Sequence, residues 1–266
     1  MALMRFTILG CGSSGGVPRI GGIWGACDPE NPRNRRTRCS LLVERIDAGG
    51  TTRVLIDTSP DMREQLLRQE VSSLDAVLYT HSHSDHVNGL DDLRQIVFLT
   101  RKRVQVWADG AAQHEIMSRF AYAFVQPEGS SYPPICDLHT IRGPVIVDGA
   151  GGPIEFDPFE VDHGDIDALG FRIGKVVYLP DVLKIEEPVW DSHLNGLDCW
   201  IVDALRRTPH PTHAHLALAL EWLARAKPKR GVLTNMHIDI DYATVEAETP
   251  DHISAAYDGM VLEFEV

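Results

Sequence analysis

The sequence lacks any apolar run of the roughly 20 residues that a membrane-spanning helix requires. Its five cysteines include no pair with the C-x₂-C spacing of a zinc knuckle. We interpret them as reduced thiols in a reducing compartment. The first residues lack a basic start followed by an apolar centre, so we expect a strand and a glycine-rich turn there rather than a secretory signal. These absences predict a cytoplasmic protein.

Positive charge is also scarce. The chain has 25 Lys and Arg against 38 Asp and Glu, a net charge of −13. Broad nucleic-acid binding is not expected, because phosphate contacts need clustered Lys and Arg. A small phosphorylated substrate remains compatible, since bound metal ions supply positive charge locally. One segment departs from this pattern and contains Arg33, Arg35, Arg36 and Arg38. We interpret it as a solvated loop, or alternatively as a source of one or two contacts to a terminal phosphate.

Internal repeats, low-complexity segments and long linkers are absent too. With 44% hydrophobic residues the chain can bury one sizeable core, and we expect a single domain over residues 1–266. Short β-branched apolar runs bounded by glycine, proline or charge predict strands. Apolar residues at helical spacing predict helices over 60–70, 87–99, 110–120 and 213–226. The alternation indicates an α/β (α+β) protein with two sheets and helices on their outer faces.

The strongest chemical signal is the motif HxHxDH at His81–His86, which directly follows a predicted strand. Three imidazoles and a carboxylate in six residues would be costly to bury without partners. Neutral imidazole and carboxylate oxygen are ligands for zinc, manganese or iron. His81 and His83 are two residues apart, which places both on one side of an extended segment. The motif therefore predicts a metal site.

This motif resembles that of the metallo-β-lactamase superfamily. The resemblance implies an αββα sandwich of two mixed sheets, with a site for two divalent ions, Zn²⁺ or Mn²⁺, at one edge. It also implies three later ligands, and His163, Asp181 and His237 each follow an apolar run in the expected order. The implied set is His81, His83 and His163 for one ion, Asp85, His86 and His237 for the other, and Asp181 bridging them.

Other segments narrow the resemblance. The opening TILGCGSSGGVPR, the stretch ending in RCS and the YDGM at Tyr257–Met260 resemble the phosphoribosyl cyclic phosphate phosphodiesterases of phosphonate breakdown. This similarity is patchy but extends from Leu9 to Met260. It implies a phosphodiesterase acting on a small cyclic or nucleotide-like phosphate ester through a metal-bound hydroxide, and it implies a homodimer. The cysteine cluster that holds a structural zinc in that family has no counterpart here, so we expect no such zinc.

The resemblance also implies that His213 is the acid that protonates the leaving group, with Asp181 orienting the attacking hydroxide. We expect His213 at the start of a helix, where an anionic phosphate is attracted. His215 is expected to face solvent and His210 to lie in a loop. Asp57 and Asp203 are either partners of metal-bound histidines or capping residues at strand ends. Asp258 is open between a family role and a turn.

Several other functions remain open on the same ligands. A thioesterase or lactonase would use the same metal site, and a β-lactamase is disfavoured by the absence of a secretory signal. A ribonuclease-Z-like nuclease is disfavoured by the net charge of −13. A non-catalytic metal-binding protein is disfavoured because every expected ligand position is filled.

Overall fold

The computed structural model describes residues 2–266, and the chain divides into two compact units. Unit 1 comprises Met1–Leu9, Ser40–Glu155 and Val261–Val266. Unit 2 comprises Gly10–Cys39 and Phe156–Met260. The single domain over residues 1–266 stays a prediction. Within residues 2–266, none of the helices has the length and apolar character that would let it cross a bilayer.

Fourteen strands and seven α-helices make up the regular structure of residues 2–266. The strands are β1 (Leu3–Gly10), β2 (Ser40–Asp47), β3 (Gly50–Ile56), β4 (Ala76–Leu78), β5 (Val104–Ala108), β6 (Cys136–Thr140), β7 (Val145–Val147), β8 (Ile154–Asp162), β9 (Asp167–Ile173), β10 (Val176–Leu179), β11 (Cys199–Asp203), β12 (Arg230–Thr234), β13 (Ile253–Ala255) and β14 (Met260–Glu265). The helices are α1 (Met62–Arg68), α2 (Ser84–Val87), α3 (Leu93–Thr100), α4 (Gly110–Phe124), α5 (Glu187–His193), α6 (Leu216–Ala226) and α7 (Tyr242–Glu248).

The first sheet has the strand order β14-β1-β2-β3-β4-β5-β6. It is mixed, because β2 and β3 pair antiparallel whereas β3, β4, β5 and β6 are parallel neighbours. The helices between parallel strands cover the sheet with apolar side chains, such as Met62 of α1, Ile96 of α3 and Ile116 of α4. These side chains are buried against sheet residues that include Val77 and Val106. Every residue of β4 is buried, which explains why this strand is an apolar run, whereas β5 alternates buried and half-buried residues.

The second sheet has the order β13-β12-β11-β10-β9-β8-β7. Strands β10 to β13 are parallel, and β9 pairs antiparallel with both β10 and β8. Leu179 lies opposite Val202, and Asp203 lies opposite Thr234. The residues that follow β10, β11 and β12 therefore lie at one edge, where α/β sheets present their ligands.

Two mixed sheets with helices between strands confirm the predicted fold class. The sequence pattern failed to predict β6, β13, α5 and α7. The helix expected over residues 87–99 is instead interrupted by a 3₁₀ turn at Leu90–Asp92. Strand β6 is mostly polar and β13 is only three residues long, so neither has the apolar run that identifies a strand.

The expected helix start at His213 is wrong. Helix α6 begins at Leu216, with His215 as its N-cap residue. The backbone of Ala214 is hydrogen-bonded outside the helix. Its N–H donates to the Val182 carbonyl, and its carbonyl accepts from the Leu205 N–H. These long-range bonds hold the preceding segment away from a helical path. His213 consequently lies in a loop and not at a helix N-terminus.

Candidate metal centre

In unit 1, the predicted ligand segment lies where β4 ends and α2 begins. His81 is buried, and its ring centroid lies 4.5 Å from that of His83 and 4.3 Å from that of His86. His83 is the N-cap residue of α2, so the helix start turns Asp85 and His86 back toward His81. Arg119 of α4 donates to the Ser82 carbonyl at 2.7 Å. The structure therefore brings the three imidazoles of the motif together.

A buried carboxylate supports this segment. Asp57 follows β3 with a left-handed φ of 64° and is fully buried. Its oxygens accept hydrogen bonds from the Thr80 N–H, the Thr80 hydroxyl and His86 Nδ1, each at 2.8 Å. Burial raises the pKa of Asp57, and the neighbouring His86 opposes that rise. Asp57 is thus the partner of a predicted ligand, the first of the two roles considered for it.

The same network fixes the orientation of His81. The Thr80 hydroxyl uses its hydrogen on Asp57, so it accepts from His81 Nδ1 at 2.9 Å. Both His81 and His86 therefore carry their hydrogen on Nδ1, which directs the Nε2 lone pair outward as a ligand. In agreement, His86 Nε2 lies 3.6 Å from a carboxylate oxygen of Asp85, so two donor atoms converge there.

In unit 2, His163 follows β8 and is buried. Its Nδ1 lies 2.7 Å from the carbonyl of Thr212, which can only accept, so Nδ1 carries the hydrogen. Its Nε2 lies 3.5 Å from Asp181 Oδ2. Gly164 permits this approach, because it has a φ of 83° and a Cβ there would lie 2.4 Å from the Thr212 side chain.

His237, after β12, is held in the same way. Its Nδ1 donates to Asp239 at 3.1 Å, so the lone pair is on Nε2, and that nitrogen contacts Arg19 Nη2. Burial lowers the pKa of His237, and the charge of Arg19 lowers it further. A neutral imidazole is the form that binds metal.

A third group in unit 2 surrounds His213. Its Nδ1 donates to Asp203 Oδ2 at 2.9 Å and lies 3.8 Å from Asp181 Oδ2. Asn235 donates to Asp203 at 3.2 Å and to Asp181 at 3.4 Å. Burial raises the pKa of Asp203 to about 6, against the opposing effect of His213. Asp203 therefore orients His213 from a fully buried position.

The donors fit a divalent metal. Four predicted ligands share one arrangement in which Nδ1 is hydrogen-bonded to protein and Nε2 presents its lone pair: His81, His86, His163 and His237. In each unit the donors are imidazole nitrogen and carboxylate oxygen, which zinc and manganese accept.

The arginines of residues 33–38 have structural partners. Arg33 stacks on Tyr242 and Tyr257, with its guanidinium carbon 4.8 Å from each ring centroid. Arg35 lies 5.3 Å from the Trp24 ring centroid. Arg36 is buried and donates to the Ile240 carbonyl at 2.7 Å. Arg38 is half-buried beside Gly16. The segment is thus not simply a solvated loop.

Asp258 lies in a turn, as one of the two expectations held, in which the Met260 N–H donates to the Tyr257 carbonyl at 3.0 Å. Its carboxylate has a further structural role. It accepts from the Cys11 N–H at 3.2 Å and from the N–H and hydroxyl of Thr37 at 2.8 and 2.7 Å. It therefore joins the glycine-rich turn to the arginine segment. Burial raises the pKa of Asp258 to about 6.

Sequence reasoning missed four supporting residues, namely Thr80, Thr212, Asn235 and Asp239. The sequence does indicate Asn235, because it directly follows the apolar run of β12 and lies two residues before His237. Its left-handed φ of 59° is one that asparagine tolerates. Thr212 acts through its backbone carbonyl, which no side-chain pattern reveals.

A family model described as the β-lactamase superfamily domain matches residues 52–238. The chain belongs to the metallo-β-lactamase superfamily. This membership confirms the superfamily resemblance that the HxHxDH motif indicates. With the His and Asp clusters of the two units, it indicates a metal hydrolase that binds divalent ions.

Among solved structures, a diphosphatase of the PhnP family is 34% identical, with a TM-score of 0.86, and the match covers 99% of this chain and 98% of that one. Zn²⁺-bound PqqB from Methylobacterium extorquens is 19% identical, with a TM-score of 0.69 and 97% and 99% coverage, which shows the shared superfamily fold.

Among curated proteins, an octanoyltransferase of Porphyromonas gingivalis (strain ATCC BAA-308 / W83) is 34% identical over 262 residues. The match covers 97% of this chain but 51% of that protein. The chain thus spans about half the length of this relative, whose name describes a longer protein.

Proposed function

We propose that this chain is a dinuclear-metal phosphodiesterase that cleaves a small cyclic or nucleotide-like phosphate ester, such as phosphoribosyl 1,2-cyclic phosphate. The observation that carries the proposal is the placement of His213, held by buried Asp203 and 3.8 Å from Asp181. An imidazole in that position serves a reaction whose leaving group needs a proton. The similarity to a PhnP-family diphosphatase supports a phosphate substrate.

The ligands proposed for the two ions are those that the superfamily resemblance implies. His81, His83 and His163 would hold one ion, Asp85, His86 and His237 would hold the other, and Asp181 would contribute to both. When bound, two such ions supply an activated water and neutralise charge on phosphoryl oxygens.

The side chains themselves would perform three tasks. Asp57 and Thr80 orient the histidines of unit 1, and Thr212 and Asp239 orient His163 and His237. His213 donates a proton from Nε2 to the leaving oxygen, since its Nδ1 is engaged with Asp203. The Asp203 carboxylate stabilises the charged imidazolium that precedes the transfer.

The test is hydrolysis of bis-p-nitrophenyl phosphate and of a ribose cyclic phosphate by metal-stripped protein reloaded with Mn²⁺ or Zn²⁺. Metal-restored activity is expected on both. His213→Ala should lower kcat about 100-fold on the ribose cyclic phosphate, whose alkoxide is a poor leaving group, and much less on the nitrophenyl ester. His215→Ala is the matched control, because His215 makes no side-chain hydrogen bond as N-cap of α6.

If the protein binds two metals but hydrolyses neither phosphate ester, the proposal is contradicted and thioester or lactone hydrolysis is favoured. A large loss in His215→Ala would contradict the assignment of the acid. A homodimer and a cytoplasmic location stay predictions.

A further inference from the structure

The turn that follows His237 is closed by its own backbone. The Ile240 N–H donates to the His237 carbonyl at 3.1 Å, and the His237 N–H donates to the Leu205 carbonyl at 2.8 Å. Asp239 lies within this turn, where its carboxylate accepts from His237 Nδ1 at 3.1 Å. A displacement of Ile240 is therefore transmitted to Asp239, and with it to the hydrogen bond that orients the His237 ring.

A buried guanidinium holds this turn in place. Arg36, which like Ile240 belongs to unit 2, is 2% exposed, and its Nη1 donates to the Ile240 carbonyl at 2.7 Å. Its Nη2 donates to Asn34 Oδ1 at 3.3 Å, and the same oxygen accepts from the Tyr242 N–H at 2.8 Å. The Arg36 backbone is itself fixed by two hydrogen bonds with Val17, each of 2.9 Å. Arg36 thus ties the end of the turn to a separately anchored segment.

The other side of the turn packs against a glycine of the same segment. The Ala26 N–H donates to the Ile238 carbonyl at 2.8 Å. Gly25 has a left-handed φ of 62°, and a Cβ at this position would overlap the Ile238 carbonyl oxygen. The residues on both sides of Asp239, namely Ile238 and Ile240, are therefore in direct contact with residues 25–36.

Stability does not explain why the residue at position 36 is charged. Among the described residues no ion pair joins Arg36 to an acidic side chain, and its buried Nε has no hydrogen-bond partner. An uncompensated buried charge is costly, and an apolar side chain of similar volume is often as stable or more so. Its acceptors also have other donors, because the Cys27 thiol donates to the Ile240 carbonyl at 3.4 Å and the Tyr242 N–H donates to Asn34. Only the guanidinium links Asn34 to Ile240 directly.

We propose that Arg36 is a positioning residue for His237. Through Ile240 it holds Asp239 in place, and thereby it sets the direction in which His237 Nε2 presents its lone pair. This inference rests on the proposed function, in which His237 would hold one of the two ions. It gives a buried member of the arginine segment a task that requires no contact with substrate.

The first test compares Arg36→Met with Arg35→Met, its matched control at the neighbouring position, where the guanidinium lies against Trp24. In a chelator competition that resolves two ions, Arg36→Met should weaken one ion about tenfold and leave the other unchanged. Its midpoint in urea should stay close to that of wild type, because a buried charge is removed and no acceptor loses its last donor. Arg35→Met should change neither property. Equal weakening of both ions, or a lower urea midpoint without selective weakening, would reduce Arg36 to a support of the fold and overturn the inference.

A double-mutant cycle tests the route through Asp239. If Arg36 acts by holding Asp239, the double variant Arg36→Met, Asp239→Ala should bind the affected ion about tenfold more weakly than wild type, as Asp239→Ala alone does. Independent effects would instead multiply to about 100-fold. A loss of that size would contradict the inference, because Arg36 would then act on His237 by some other path.

Gly25→Ala disturbs the turn from its other side and removes no charge. Its matched control is Gly22→Ala, since Gly22 has a similar left-handed φ of 72° but nothing lies within 4 Å of a Cβ there. The control therefore carries the backbone strain without the overlap with Ile238. Gly25→Ala should weaken the same ion as Arg36→Met, and Gly22→Ala should retain it. Equal metal affinity in the two glycine variants would overturn the inference.

Amide hydrogen exchange requires neither metal nor activity. In the metal-free protein, Arg36→Met should speed exchange at the Ile240 and Tyr242 N–H groups about tenfold, whereas Arg35→Met should not. If neither phosphate ester is cleaved but the exchange and metal-binding differences appear, Arg36 keeps its positioning role and the proposed phosphodiesterase fails. Unchanged exchange at Ile240 in Arg36→Met would overturn the inference whatever the kinetics show.

Discussion

The two units hold their predicted metal ligands in different ways. In unit 1 the ligands lie within six consecutive residues, and one buried carboxylate, Asp57, supports them through Thr80 and His86. In unit 2 the ligands follow separate strands, and each has its own partner. His163 is held by the Thr212 carbonyl and His237 by Asp239.

This difference has a physical consequence. A shared network transmits the loss of any member to all the others, whereas separate partners confine the loss to one side chain. We therefore expect substitutions in unit 1 to affect stability and metal binding together. A substitution in unit 2 should change either metal binding or activity, with little effect on stability.

The largest effect is expected for Asp57→Ala. The Thr80 N–H and hydroxyl and His86 Nδ1 would lose their buried acceptor, at about 1–3 kcal/mol for each unsatisfied group. We expect the free energy of unfolding to fall by about 3 kcal/mol or more and the affinity for metal to fall about 10- to 100-fold. Urea denaturation and a metal-competition titration measure the two effects.

Two controls accompany Asp57→Ala. Asp57→Asn retains a side chain that tolerates the left-handed backbone, so it separates lost hydrogen bonds from backbone strain. Glu64→Ala, at an exposed position of α1, should change stability by less than about 0.5 kcal/mol. Normal metal affinity in a destabilised Asp57→Ala would show that unit 1 has no shared network.

Asp203→Asn is expected to affect activity but retain both metals. The pKa of Asp203 is about 6, so lowering the pH through 6 protonates the carboxyl and removes the charge that stabilises protonated His213. Wild-type kcat should therefore fall below about pH 6. In Asp203→Asn, kcat at pH 7.5 should be about 100-fold lower, and the acid limb near pH 6 should disappear. Metal loss in this variant would contradict the separation of tasks in unit 2.

Asp239→Ala should have a smaller and more local effect. It removes the partner of His237 Nδ1, and we expect about tenfold weaker binding of one ion. Because the Asp239 side chain is 35% exposed, the free energy of unfolding should change by less than about 0.5 kcal/mol. A chelator competition that resolves two ions provides the measurement, and equal weakening of both ions would contradict separate support.

The smallest effect concerns Asp258, which resembles Asp57 in accepting several bonds. Its folded pKa of about 6 is above the ordinary value of 3.8, so the folded state binds the proton more tightly. The stability that this group contributes is present below about pH 4 and is lost as the pH rises through 6. The deficit of Asp258→Asn against wild type should therefore be smaller at pH 8.0 than at pH 5.0 in urea denaturation. A larger deficit at pH 8.0 would reverse the sign of this linkage.

The contrast between local ligands in unit 1 and dispersed ligands in unit 2 also explains which features the sequence could predict. HxHxDH is local, so strand and helix periodicity suffice to bring His81, His83 and His86 together, as the ring distances confirm. The two-sheet fold class also follows from local apolar runs. The partners in unit 2 depend on long-range pairing. Neither the Thr212 carbonyl beneath His163 nor the Asn235 amide between Asp181 and Asp203 has a sequence pattern of its own.

His213 shows most clearly where prediction from the sequence fails. Apolar spacing at Leu216, Leu220 and Leu223 predicts a helix, but spacing does not tell where the helix begins. That boundary is set by backbone bonds of Ala214 to Val182 and Leu205, which come from distant strand ends. The role assigned to His213 rests on family resemblance. The sequence names Asp203 as a candidate histidine partner, but only the folded structure shows that its partner is His213.

The parallel strands β10, β11 and β12 have a consequence for how such an enzyme changes over generations. Asp181, Asp203 and Asn235 each lie at or just beyond the end of a strand whose interior is apolar and buried. Mutation at these termini can vary the reaction chemistry while the strands keep their pairing. Strand pairing and reaction chemistry therefore depend on different residues of the same strands: pairing on the buried interior and chemistry on the polar residue at the end.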